Sequence, residues 1–186
     1  MARIRSSRSP APLDHKGLEE IALRYVGRFA TTKAKLTSYL WRKVRERGWN
    51  GTEDPDPVSL ARRFCELGYI DDGAYALAKS RSLSSRGYGR HRLEQKLRLA
   101  GVGEEDGAAA REEAEGEALD CALRYAKRRR IGPWASGKPD PKLRQKAIAA
   151  MVRAGHPLFL AIAVASLAPG AEINREQLSR ERPDYP

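Results

Sequence analysis

The sequence predicts an all-α protein, arranged as an elongated, solenoid-like array of three tandem three-helix repeats. Three observations carry that expectation. Apolar residues recur at helical spacing along most of the chain, first at Leu18, Ile21, Ala22, Tyr25, Val26 and Phe29. No stretch alternates apolar and polar residues with period two among β-branched side chains, so no sheet is expected. Anchors also return at matching places. Ala22-Leu23-Arg24-Tyr25 is echoed by Ala122-Leu123-Arg124-Tyr125, Asp56-Pro57 by Asp140-Pro141, and Gly48, Gly101 and Gly155 each close a middle helix. A unit of three short helices hides its apolar faces poorly on its own, and stacking units end to end hides them better.

Each element follows from local signals. Residues 1–17 are basic and rich in Ser and Pro, with little to bury, and read as a disordered tail. The first repeat spans 18–70. Its first helix carries the stripe from Leu18 to Phe29. Thr31 or Thr32 caps a second helix with Leu36, Leu40 and Val44 inside. A loop with Trp49, Gly51, Pro55 and Pro57 follows. Asp56 as cap and Pro57 at the first helical position start a third helix, which turns Leu60, Ala61, Phe64 and Cys65 inward and stops at Gly68.

The second repeat spans 71–116. Asp71 or Asp72 offers its carboxylate to the open N–H groups of a helix that runs to about Arg86. Gly87-Tyr88-Gly89 breaks it, and a basic helix follows with Leu93 and Leu97 on its inner side. Residues 104–120 hold eight acids against Arg111 alone, and where a packed helix would carry Leu or Ile they carry Ala. They read as a poor, exposed helix or linker. The third repeat, 117–169, reads as helices over 117–130, 140–154 and 157–168, with Trp134 in the core, and 170–186 as a C-terminal tail.

Composition bounds the function. The chain has 186 residues, a net charge of +11 and a pI near 9.9, which favours polyanions or acidic protein surfaces as partners. The two cysteines, Cys65 and Cys121, sit in apolar-periodic segments and read as reduced, buried thiols. The basic N-terminus lacks the apolar stretch of a secretory signal. The longest apolar run, from Leu158 to Ala168, is well short of the ~20 residues that span a membrane. A cytoplasmic protein without a membrane partner is expected.

Enzyme chemistry finds no foothold. There is no phosphate-cradling G-x-x-x-x-G-K-[ST] loop. His15, His91 and His156 are scattered, with neither Cys nor acids at ligand spacing, so neither metal nor cofactor is expected. Asp71-Asp72 is explained by helix capping.

The stretch Glu66-Leu67-Gly68-Tyr69-Ile70-Asp71-Asp72, followed by a basic helix ending Arg86-Gly87-Tyr88-Gly89, resembles the core of the RecX family of regulatory proteins. The resemblance is strongest over 60–101, weaker over 18–43 and 118–168, and the loop near 44–57 is longer than the family pattern leads one to expect. RecX proteins are small helical modulators of the RecA recombinase, understood to lie in the helical groove of the RecA–DNA filament. The resemblance therefore implies a non-enzymatic protein that binds the RecA filament and modulates its work in recombination, repair and the SOS response, with inhibition the expected direction over stimulation. The recurring triplet leads one to expect a monomer. Weak direct contact with DNA would fit the charge. The contact candidates are Arg81, Arg86, Tyr88, Arg90, Arg92, Lys96 and Arg98, then Arg128, Arg129 and Arg130. From Lys79 to Arg98 the count is seven Lys or Arg against one acid, Glu94. The alternative is a general nucleic-acid-binding protein that places basic helices of helix-turn-helix-like triplets into a groove.

Overall fold

Helix-start signals and apolar stripes translate into ten α-helices among the described residues of a computed structural model, which covers residues 11–137 and 140–180. These are α1 (His15–Val26), α2 (Lys33–Arg47), α3 (Pro57–Glu66), α4 (Asp72–Ser84), α5 (Arg90–Ala100), α6 (Glu104–Gly116), α7 (Ala118–Arg129), α8 (Pro141–Arg153), α9 (Leu158–Ser166) and α10 (Arg175–Arg180). A 3-10 turn over Gly132–Trp134 follows α7. Among the described residues there is no strand, only one isolated backbone bridge, between Leu13 and Trp49. The all-α expectation holds. The chain forms two compact units, Met1–Tyr75 and Ala76–Pro186, divided within α4.

In the first unit, α1, α2 and α3 pack their stripes into one core of Leu18, Ile21, Ala22, Leu36, Leu40, Val44, Ala61, Phe64 and Ile70. Side chains placed one residue ahead of each helix satisfy its open N–H groups. The Asp14 carboxylate accepts from Gly17 N at 2.7 Å, Thr32 Oγ1 from Lys35 N at 3.2 Å and Asp56 from Ser59 N at 2.9 Å. The adjacent aspartates divide their work. Asp71 accepts from Ala74 N at 2.8 Å and caps α4, whereas Asp72, already inside α4, reaches Lys33 N at 2.9 Å and caps α2.

Two expectations for this unit need correction. The tail expected over residues 1–17 lies outside the described residues at 1–10, and the expectation fails for the rest. Leu13 is 1% exposed, donates its N–H to Gly48 O at 3.0 Å and accepts from Asn50 N at 2.8 Å. Its isobutyl group supplies the apolar anchor that the tail was thought to lack, and α1 begins at His15 rather than Leu18. Phe29, read as the last residue of the α1 stripe, lies past Gly27, where the helix has ended, and is 56% exposed.

In the second unit, α7, α8 and α9 enclose a core of Ala122, Tyr125, Ala126, Ile131, Met151, Leu160, Ala161 and Val164, and Trp134 packs against it as expected. Leu93 and Leu97 of α5 are 1% and 0% exposed. The acidic run is not a linker. It forms α6, thirteen residues long, with Gly107, Ala110 and Ala114 buried. Its small side chains let the α6 backbone pack closely, which is why no Leu or Ile is needed there. Of the expected C-terminal tail, 181–186 lies outside the described residues, and the rest is not a tail: Leu178 of α10 is 4% exposed and joins the core around α7 and α9.

The Gly87-Tyr88-Gly89 break is held by backbone. Gly89 N donates to Ala154 O at 3.0 Å and His91 N to Gly155 O at 3.1 Å. The chains approach so closely that a Cβ on Gly89 would stand 2.3 Å from Gly155 O, and one on Gly155, at φ 96°, would stand 2.4 Å from Arg92 N. Only glycine fits at either position.

Candidate partner-binding face

The break that locks α4 and α5 against the turn before α9 also brings together cations that are far apart in sequence. At the end of α4 the turn closes on the last carbonyls, with Gly87 N donating to Ser84 O at 2.8 Å and Tyr88 N to Leu83 O at 3.0 Å, and arginines of α7 add further donors. Arg124 Nη1 donates to Ser84 O and Arg128 Nη1 to Arg86 O. These α7 side chains, four residues apart and hence on one helix face, close the end of α4. Tyr88 lies between the two elements. The Arg86 guanidinium sits 5.2 Å from its ring centre and that of Arg128 5.8 Å. Arg128 is also 5.5 Å from the ring of Tyr125, and Arg129 is 5.9 Å from it. The two rings lie 6.4 Å apart.

Arg86, Tyr88, Arg128, Tyr125 and Arg129 thus form one ladder of alternating cations and rings, each cation within reach of cation–π attraction. No described carboxylate forms an ion pair with Arg86, Arg128 or Arg129, so the charge of the ladder is not cancelled by a direct partner. Tyr125 is anchored from below by its hydroxyl, which donates to Ala150 O at 3.2 Å. Beneath the ladder His156, 1% exposed, meets Gly87 O through Nε2 at 3.1 Å. A carbonyl only accepts, so Nε2 carries the proton. Burial, with a smaller push from His91, lowers the imidazole pKa to about 4 and keeps it neutral.

The remaining candidates separate into two groups. Arg81 and Arg90 are engaged by α6 and by their own helix. Arg81 Nε meets Glu113 at 3.1 Å, and Arg90 meets Glu94 at 2.8 Å and Glu115 at 2.9 Å. The Glu115 hydrogen bond, with help from Glu94, raises the Arg90 pKa above its ordinary value. Arg92 donates to Gln95 Oε1 at 2.9 Å, while Lys96 and Arg98 stand exposed on α5. Arg130 follows the ladder in a left-handed backbone conformation at φ 55°. Of the ten candidates, then, four build the ladder, one adjoins it, two are neutralised and three line α5.

Sequence reasoning missed Arg124 and Tyr125 as members of this face. The echo of Ala-Leu-Arg-Tyr pointed at both, but it was read as a core anchor only. It also passed over α2, where Lys33, Lys35, Arg42, Lys43, Arg45 and Arg47 face one acid, Glu46. Among the described residues, no three His, Cys, Asp or Glu side chains gather as metal ligands would. Cys121 is buried, and burial pushes its thiol pKa up, away from nucleophilic use. No helix among the described residues is long and apolar enough to cross a membrane.

Comparison with known proteins agrees with this architecture. Residues 71–110 match the second three-helix domain of RecX. The chain is 32% identical over 160 residues to the regulatory protein RecX of Myxococcus xanthus, covering 81% of this chain and 85% of that one. It is 32% identical over 131 residues to the regulatory protein RecX of Agrobacterium fabrum, covering 67% and 68%. A third relative, the regulatory protein RecX of Thermobifida fusca, is 31% identical over 157 residues, covering 82% and 80%. With a three-helix domain matched across α4 and α5 and relatives aligned over most of both chains, this protein belongs to the RecX family of regulatory proteins.

Proposed function

We propose that the protein is a non-enzymatic modulator of the RecA recombinase, acting by binding the RecA filament and lowering its activity. One observation carries the reading: the ladder of Arg86, Tyr88, Arg128, Tyr125 and Arg129, in which rings hold guanidiniums in place at the surface with no described carboxylate in direct ion pairing to cancel them. Guanidiniums fixed in this way lose little side-chain entropy on binding and present a planar fork to carboxylates or phosphates. A filament of protein and DNA offers both. Arg130 extends the face, and Arg92, Lys96 and Arg98 of α5 add a second basic edge.

The test is ATP hydrolysis by RecA on single-stranded DNA, with this protein added in substoichiometric amounts. The reading predicts a fall in rate at such ratios, together with weak binding to naked DNA. Basic α2, α5 and α8 favour the second reading, a general nucleic-acid binder, by placing cations on the middle helix of every repeat. Tight binding to naked DNA with a salt slope steepening by about 0.9 per phosphate contact, and no effect on RecA, would establish that alternative instead.

A further inference from the structure

The first unit holds a second stack of the same kind. Tyr25 of α1 stacks on Tyr39 of α2 with ring centres 4.1 Å apart and planes 18° from parallel. Phe29 closes on Tyr25 at 5.3 Å and is 56% exposed. Over Tyr39 lie the Arg42 guanidinium at 5.3 Å and the Lys43 ammonium at 5.7 Å. Tyr25 is the residue that the sequence echo pairs with Tyr125, so the repeat places a tyrosine at one position of the first helix in two repeats. Each joins a second tyrosine under cations: Arg42 and Lys43 here, Arg86, Arg128 and Arg129 in the ladder. We infer that the Tyr25–Tyr39–Arg42–Lys43 stack is a second binding site, that it receives carboxylates of an acidic protein surface, and that the chain grips its partner at two points. The two-point grip rests on the function proposed above; the carboxylate site does not.

The arrangement selects among anions. Tyr39 has Tyr25 on one face and the two cations over its ring, and Tyr88 likewise carries Arg86 and Arg128. A nucleobase stacking on Tyr39 or Tyr88, the contact that single-strand binders depend on, would have to displace these neighbours. What remains available is the hydrogen-bonding edge of the cations, and the Arg42 side chain is 58% exposed. A carboxylate already occupies it: Glu46 lies 2.5 Å from Lys43 Nζ and 3.6 Å from Arg42 Nε, and the Lys43 hydrogen bond holds the Glu46 carboxyl below its ordinary pKa. Exposed Phe29, tilted against Tyr25 in the same stack, supplies the aromatic anchor that protein interfaces favour.

The probe is poly-L-glutamate, titrated into the full chain at low salt beside an oligo-dT of equal charge. Arg42→Gln with Lys43→Gln should weaken polyglutamate binding about tenfold. Lys33→Gln with Arg45→Gln removes the same charge from exposed positions of the same helix and should weaken it less than about twofold. Glu46→Gln, which withdraws the internal competitor, should tighten it. Equal losses in the two double variants, or no polyglutamate binding by the wild type, would overturn the site. A loss confined to oligo-dT would make it a nucleic-acid site and overturn it equally. In the RecA assay, Arg42→Gln with Lys43→Gln should raise the half-effective concentration about tenfold. An unchanged value with weakened polyglutamate binding would overturn the two-point grip alone. If the wild type does not act on RecA, the proposed function falls, and polyglutamate still decides the site.

Discussion

His156 shows how far a single side chain is determined by what surrounds it. Its ring is buried beneath Tyr125 and Gly87, its Nε2 proton is spent on a carbonyl, and its Nδ1 has no partner. A folded pKa near 4 lies below the ordinary value of 6.5, so the unfolded chain takes up the proton first. The contribution to stability is therefore complete above about pH 6.5 and is lost as pH falls toward about 4. Between about pH 7.5 and pH 4.5 the wild type should lose about 2–3 kcal/mol more than His156→Gln, as read from denaturant melts. Equal losses in the two proteins would show that the imidazole is hydrated in the fold. Gly89 offers a second test at this scale. Gly89→Ala forces a methyl into the Gly155 carbonyl and should cost about 3 kcal/mol or more, since backbone on both sides must move. A melt within about 0.5 kcal/mol of wild type would mean that the joint is loose.

At the scale of elements, the signals that were legible share one physical property: they are local. Asp56-Pro57 and Asp140-Pro141 start helices because a carboxylate and a preset φ act within one turn, and α3 and α8 begin there. Leu93 and Leu97 follow from helical spacing, and either change to Ala should cost about 2–5 kcal/mol in denaturant melts. Losses under about 1 kcal/mol at both would place the basic helix on the surface. What was not legible depends on partners distant in sequence. Buried Ala110 and Ala114 look polar-exposed in a run of acids until α6 is seen packed through them, with Glu113 and Glu115 reaching Arg81 and Arg90. Ala110→Leu separates the two views. A packed α6 should be destabilised by about 1–3 kcal/mol, whereas a solvated linker would gain or lose almost nothing. Leu13 was hidden for the same reason, because its partner, the turn after α2, lies some thirty-five residues away.

At the scale of the molecule, composition predicted a cationic protein but not which cations act together. The basic run from Lys79 to Arg98 reads as one face in sequence, yet the fold divides it. Arg81 and Arg90 are neutralised, whereas Arg86 joins Arg128 and Arg129 from a helix some forty residues away. Charge that survives folding, rather than charge counted along the chain, is what a partner meets. The most direct test changes Arg86 and Arg129 together to Gln. Neither side chain caps α4, as Arg124 and Arg128 do, so the fold should keep its melting point. The measurement is the concentration of protein that halves RecA ATP hydrolysis on single-stranded DNA, compared between wild type and this double variant. A ladder that binds the filament predicts a rise of about tenfold or more. A half-effective concentration equal to that of the wild type, in a variant that folds normally, would contradict the assignment of this face.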